Sequence, residues 1–125
     1  KLTLTYKINN MNVQFLQGLG LMVIGQILVW FQTNAQFIWP KAKEHTLLIS
    51  MTGGVIISYL FITGVGKIAA SYNGEVWATR IIPSATGTVV FAIMTWLLLS
   101  QGINAKTATC LFLSFTIIFI QIFWK

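Results

Sequence analysis

Aspartate is missing from this chain altogether, and glutamate occurs only at Glu44 and Glu75. Charged residues make up 8% of the 125, against about a quarter in a soluble domain. A water-exposed surface cannot be assembled from so few charges, which excludes a globular cytosolic enzyme. Apolar residues reach 56% and mean hydropathy is +0.78, so a disordered chain is excluded too. The single cysteine, Cys110, allows no internal disulfide and leaves the redox compartment open. Within an apolar run it is expected as a small buried side chain. The single histidine, His45, has no second ligand spaced for a metal and reads as a solvated loop residue. No nucleophile–base pair, metal cluster or glycine-rich phosphate loop is present, so neither enzymatic activity nor a cofactor is expected.

What remains is an integral membrane protein. The net charge is +6, but Lys1, Lys7, Lys41, Lys43, Lys67, Arg80, Lys106 and Lys125 are scattered between apolar runs. A nucleic-acid binder gathers its charges on one face; scattered boundary charges are membrane anchors. The expected surroundings are therefore a lipid bilayer and no nucleic acid. Four uncharged runs approach the length of about 20 residues that a helix needs to cross the hydrocarbon. They extend from about 13 to 32, 46 to 66, 81 to 101 and 107 to 124. Backbone groups in lipid must be satisfied within each segment, so runs of this length read as helices. The alternation that a β-barrel requires is confined to Leu2–Tyr6. The expected fold is an all-α bundle of four transmembrane helices over residues 13–125, with 1–12 a native extension or a remnant of cloning.

The connections support this count. Between the first two spans, Trp30, Phe37 and Trp39 suit headgroup depth, Pro40 breaks the helix, and Lys41 and Lys43 reach headgroups. Glu44 falls near the positive end of the second helix. Gly102–Lys106 is a tight turn that makes the last two helices an antiparallel hairpin. The segment from Lys67 to Arg80 is longer. Ile68, Tyr72 and Val76 recur every four residues, as on a short interfacial helix, while Asn73–Gly74 signals a turn. It reads either as an amphipathic collar with a local Glu75–Arg80 ion pair, or as a gate built from Glu75, Trp77 and Arg80.

Inside the spans, polar and small side chains are the informative ones. Gln14, Gln17 and Gln26 lie in the first, and Gln26 is flanked by apolar turns. It is expected either to hydrogen-bond a neighbouring helix or to face a substrate. Gly18 and Gly25, seven residues apart on one face, allow close backbone approach. Gly54 with Ser58, and Cys110 with Ser114, have small-xxx-small spacing. Pro83 and Gly87 are candidates for a pivot in the third helix, or Pro83 is simply a first-turn proline.

Val23-Ile24-Gly25, the later Trp39-Pro40, and Gly87, Trp96, Gln101 and Ile103 at the third helix and hairpin resemble the small multidrug resistance family of the drug/metabolite transporter superfamily. The match covers the first, third and fourth helices; residues 41–80 are longer than the family's segment. The resemblance implies a four-helix transporter. One bundle this small has little room for a cavity, so a homo-oligomer is expected, as a homodimer with the cavity at its interface. That family couples transport to protons through a glutamate one residue before Val-Ile-Gly, where this chain has Met22. It therefore implies fold more than mechanism, and points toward branches that handle lipid-linked substrates. The chain is also similar to short membrane proteins of marine viruses and bacteria, which fits a multi-pass protein of a bacterial inner membrane or a virus-encoded one.

The expected function is to move a lipophilic or lipid-linked small molecule across a membrane. Gln26, Met22, Trp96 and Trp77 are the expected substrate-binding residues. The alternative is a structural or accessory subunit, or a holin-like phage membrane protein. For orientation, Lys41, Lys43 and Lys106 fall on one side; Lys67, Arg80 and Lys125, with Lys1 and Lys7, fall on the other. The whole chain should then place both termini inside, and a form starting at Met11 should insert both ways.

Overall fold

A computed structural model describes residues 2–124; Lys1 and Lys125, which enter the orientation count, lie outside them. The described residues form five helices: α1 (Leu2–Ile38), α2 (Pro40–Glu44), α3 (Thr46–Ser71), α4 (Trp77–Leu99) and α5 (Ala105–Phe123). α1, α3, α4 and α5 are long and apolar enough to cross a membrane. The protein is an all-α, multi-pass membrane bundle.

Local chemistry sets the breaks. Trp39 is extended (φ −121°, ψ 105°), as a residue before proline prefers, and Pro40 opens α2 where its missing N–H costs nothing. α3 ends at Asn73 and Gly74, both with positive φ (56° and 87°), and the Gly74 N–H closes back on the Ala69 carbonyl at 2.7 Å. α4 stops at Ser100, also left-handed (φ 53°). α5 starts at Asn104, whose side chain accepts from the Thr107 N–H at 2.9 Å.

Two helices run past their expected ends, α1 to Ile38 and α3 to Ser71, and three further boundaries differ. α1 begins at Leu2, so residues 2–12 continue the first span. At 37 residues it is about 55 Å long, well beyond a 30 Å hydrocarbon layer, and residues 2–10 are all exposed. No interfacial helix unites Ile68, Tyr72 and Val76. Ile68 is buried inside α3, Tyr72 caps it, and exposed Val76 precedes α4, because the left-handed pair Asn73–Gly74 separates them. α4 starts four residues early, which places Pro83 in the helix interior rather than the first turn.

Packing follows the order α3–α1–α4–α5, with α3 also touching α4. Gly18 meets Gly64 and Ile68, and Gln32 meets Ile49, so α1 and α3 are antiparallel. Gln26 meets Pro83 and Trp30 meets Thr95, so α1 and α4 are parallel. Met22, Ile68, Ala78 and Ile82 are buried together, with Phe15, Leu19, Phe61 and Tyr72 around them. In lipid the hydrophobic effect does not drive helices together, so close backbone approach must. Gly18 and Gly25 supply it: a Cβ on Gly18 would come within 3.0 Å of the Gly64 carbonyl, and one on Gly25 within 2.9 Å of the Phe61 ring. α5 has one buried residue, Ser114. Cys110 is exposed on α5, not buried as expected: with Thr88, Ala92 and Thr95 of α4 it borders an open cleft.

Candidate functional site

The site expected from the sequence centres on Gln26, about two thirds of the way along α1. Its side chain lies half-buried against α4, and Nε2 donates to the Pro83 carbonyl at 3.2 Å. Gly87, one turn further along α4, makes the room. A Cβ there would lie 2.8–2.9 Å from the Gln26 amide atoms. Pro83 lacks an N–H, so the Thr79 carbonyl loses its usual helical donor one turn earlier. Amide, proline and glycine thus form one junction, where a side chain of α1 is seated on an interrupted stretch of α4. A second contact follows: buried Trp30 donates from Nε1 to Thr95 Oγ1 at 3.0 Å. Trp30 also packs edge-on to Phe31.

The remaining candidates do not gather around this junction. Met22 is 1% exposed and sits in the core against Ile68 and Gly64, so it faces neighbouring helices and no cleft. Trp77 and Trp96 are exposed, and lie at opposite ends of α4, about 29 Å apart along its axis. Four side chains so distributed do not line one binding cavity. Trp30, expected at headgroup depth, is instead buried in the bundle, because its N–H finds a partner in Thr95, which the sequence did not single out.

Glu75 and Arg80 form no intramolecular ion pair among the described residues. Arg80 falls within α4 and borders a cleft with Ile81, Ser84 and Ser114. Glu75 stays in the preceding turn, bordering a separate cleft of about 670 Å³ with Tyr72, Gln121 and Trp124. Tyr72 closes the end of the bundle: its ring packs edge-on to Phe15 and its hydroxyl donates to the Gln121 carbonyl at 3.3 Å. Burial, and secondarily the Glu75 carboxylate, raise its pKa above the ordinary tyrosine value.

Near the same end, Lys67 Nζ donates to Gln17 Oε1 at 2.9 Å, tying a boundary lysine of α3 to α1. Gln17 is thereby an interhelical contact at the membrane edge. At the other end His45 is exposed, with Nδ1 donating to the Lys41 carbonyl at 3.1 Å. No group of three or more metal-ligating side chains occurs among the described residues. The Gln26 junction is uncharged, and it joins α1 to α4 by a hydrogen bond. No family model, curated protein or solved structure matches this chain.

Proposed function

We propose that this chain acts as a homodimer in a bacterial or virus-encoded membrane system and moves a lipophilic or lipid-linked molecule without exchanging a proton at mid-membrane. The observation that carries this reading is the bond from Gln26 to the Pro83 carbonyl beside Gly87. An interhelical hydrogen bond in lipid contributes only about 1 kcal/mol, and it is made where proline has already interrupted the α4 ladder. α4 can therefore shift against α1 at small cost, as an alternating path requires. Met22 stands where the resembling family has its acid, and it cannot take up a proton. The clefts around the bundle are open, so an enclosed path calls for a second copy. We assign the protein no enzymatic activity and no cofactor.

Reconstitution into liposomes tests this. A fluorescent lipid or a lipophilic cation should equilibrate across the membrane at a rate indifferent to an imposed pH gradient, and severalfold more slowly in Gly87→Leu. Movement of neither probe would sink the proposal. The sparse packing of α5 favours one other reading, an accessory subunit that docks through that helix. Tight co-purification of a second protein would select it, and large heterogeneous rings would select the holin-like one.

A further inference from the structure

Uncharged polar side chains collect where α1 ends and α3 begins. Gln32, Thr33 and Gln36 on α1, with Thr46 and Ser50 on α3, line a cleft of about 470 Å³ that the Gln26 junction does not use. Their hydrogen bonding is one-sided. The Thr33 hydroxyl donates to the Val29 carbonyl at 2.8 Å, that of Thr46 to Lys43 at 2.7 Å, and that of Ser50 to Thr46 at 2.7 Å. A hydroxyl has one proton, so these three can only accept from whatever enters the cleft. Thr33 already accepts from Asn34 Nδ2 at 2.8 Å, which leaves Thr46 and Ser50 as the hydroxyl acceptors. Gln32 and Gln36 donate from Nε2 to the Ile49 and Thr33 carbonyls and keep their amide oxygens for a ligand's donors.

Two further features narrow the ligand. The cleft runs into an apolar groove of about 340 Å³ between α1 and α3, floored by Phe31, Ile56 and Ile57; Gln32 and Ile49 border both. Ala42 of α2 also lines the cleft, and its chain neighbours Lys41 and Lys43 are exposed beside it. Glu44 follows them, so the connection keeps an excess of one positive charge before His45 is counted. Trp39 and Phe37, exposed beside it, mark headgroup depth. The order from boundary to interior is therefore cation, hydrogen-bond acceptor, apolar channel.

We infer that this cleft binds one phospholipid with an anionic, hydroxyl-bearing headgroup. Its hydroxyls donate to Thr46 and Ser50, its phosphate meets Lys41 and Lys43, and one acyl chain lies along Phe31 and Ile56. The site stands apart from the transport proposal, since a lipid held here serves equally as cargo or as a fixed support of the α1–α3 contact.

Native mass spectrometry of the full chain in detergent tests it with three dioleoyl lipids: phosphatidylglycerol, phosphatidylmethanol (the same charge without hydroxyls) and phosphatidylcholine. Phosphatidylglycerol should bind about tenfold more tightly than phosphatidylcholine, with phosphatidylmethanol between them. Thr46→Val with Ser50→Val should lower phosphatidylglycerol to the level of phosphatidylmethanol, and Thr46→Ser with Ser50→Thr should retain the difference. Lys41→Gln with Lys43→Gln should weaken both anionic lipids alike. Ile56→Trp, which fills the groove without touching the cleft, should weaken both as well. Equal binding of all three lipids by the parent would overturn the inference. So would an undiminished phosphatidylglycerol preference in the valine variant, or displacement by chainless glycerophosphoglycerol, which would make the cleft a site for soluble polyols.

Discussion

α3 and α5 are both apolar enough to span a membrane, yet the bundle treats them differently. α3 lies along α1 with Gly64 against Gly18 and Ile68 buried between them. α5 rests on α4 with Ser114 as its one buried residue. Apolarity therefore does not decide which helix is gripped. Lipid solvates Phe112, Phe115 and Phe119 as well as protein does; small residues that let backbones meet, and amides or hydroxyls that find a partner, make the difference.

Gly18→Leu should break the tighter contact with the largest effect. Its Cβ would meet the Ile68 side chain at 2.8 Å and the Gly64 backbone at 3.0 Å, and backbone cannot step aside. A loss of about 3 kcal/mol is expected from unfolding in mixed micelles. Gly20→Leu, with nothing within 4 Å, should leave stability unchanged or raise it slightly, because leucine is the better helix former. Equal losses would mean that close approach is not what holds α3.

The Gln26 junction should respond less. Gly87→Ala presses a Cβ onto a flexible amide and should cost about 1 kcal/mol, mainly through the lost bond to Pro83. In a Gln26→Ala background the same change should cost nothing or stabilise, because alanine is the better helix former. A double-mutant cycle reads this directly, and additive effects would separate the two residues.

On α5, Phe112→Leu and Phe119→Leu should shift stability by less than about 0.5 kcal/mol. A larger loss would show that α5 is covered by another protein surface.

The smallest effect concerns pH. The raised pKa of Tyr72 means that the folded state holds its phenolic proton more tightly than the unfolded chain. The associated stability is complete below pH 10 and is lost as pH rises through the raised value. Tyr72→Phe should therefore flatten the alkaline end of the stability profile and leave neutral pH unaffected by titration. An unchanged alkaline slope would contradict the cause given.

Which features were legible in the sequence follows from the same comparison. Span number and position could be read because charges interrupt the apolar runs. Gly18 and Gly25 could be read because a seven-residue spacing keeps one helical face. Partners could not. Trp30 and Thr95 are 65 residues apart, and nothing local marks threonine as an acceptor. Helix ends also escaped. The alternation of Leu2, Leu4 and Tyr6 suggests a strand, yet these residues continue α1. Pro83 looked terminal because Arg80 seemed to close the preceding connection. Cys110 misled because burial and apolar surroundings separate in a membrane. The Thr46–Ser50 cleft was overlooked for a related reason: hydroxyls at a span's start resemble ordinary boundary residues until α1 is laid beside them.

We propose that no group at mid-membrane exchanges a proton. The charged residues of the four long helices, Lys7, Lys67, Arg80 and Lys106, lie within the first or last two turns of theirs, and the middle of each helix has no Asp, Glu, Lys, Arg or His. The direct measurement is proton release when lipophilic cations are added to the purified protein in weak buffer. Between about pH 6 and 8, where a carboxyl raised by burial titrates, no release is expected. Substrate-dependent release that disappears in Glu75→Gln would contradict it and place Glu75 in the substrate path.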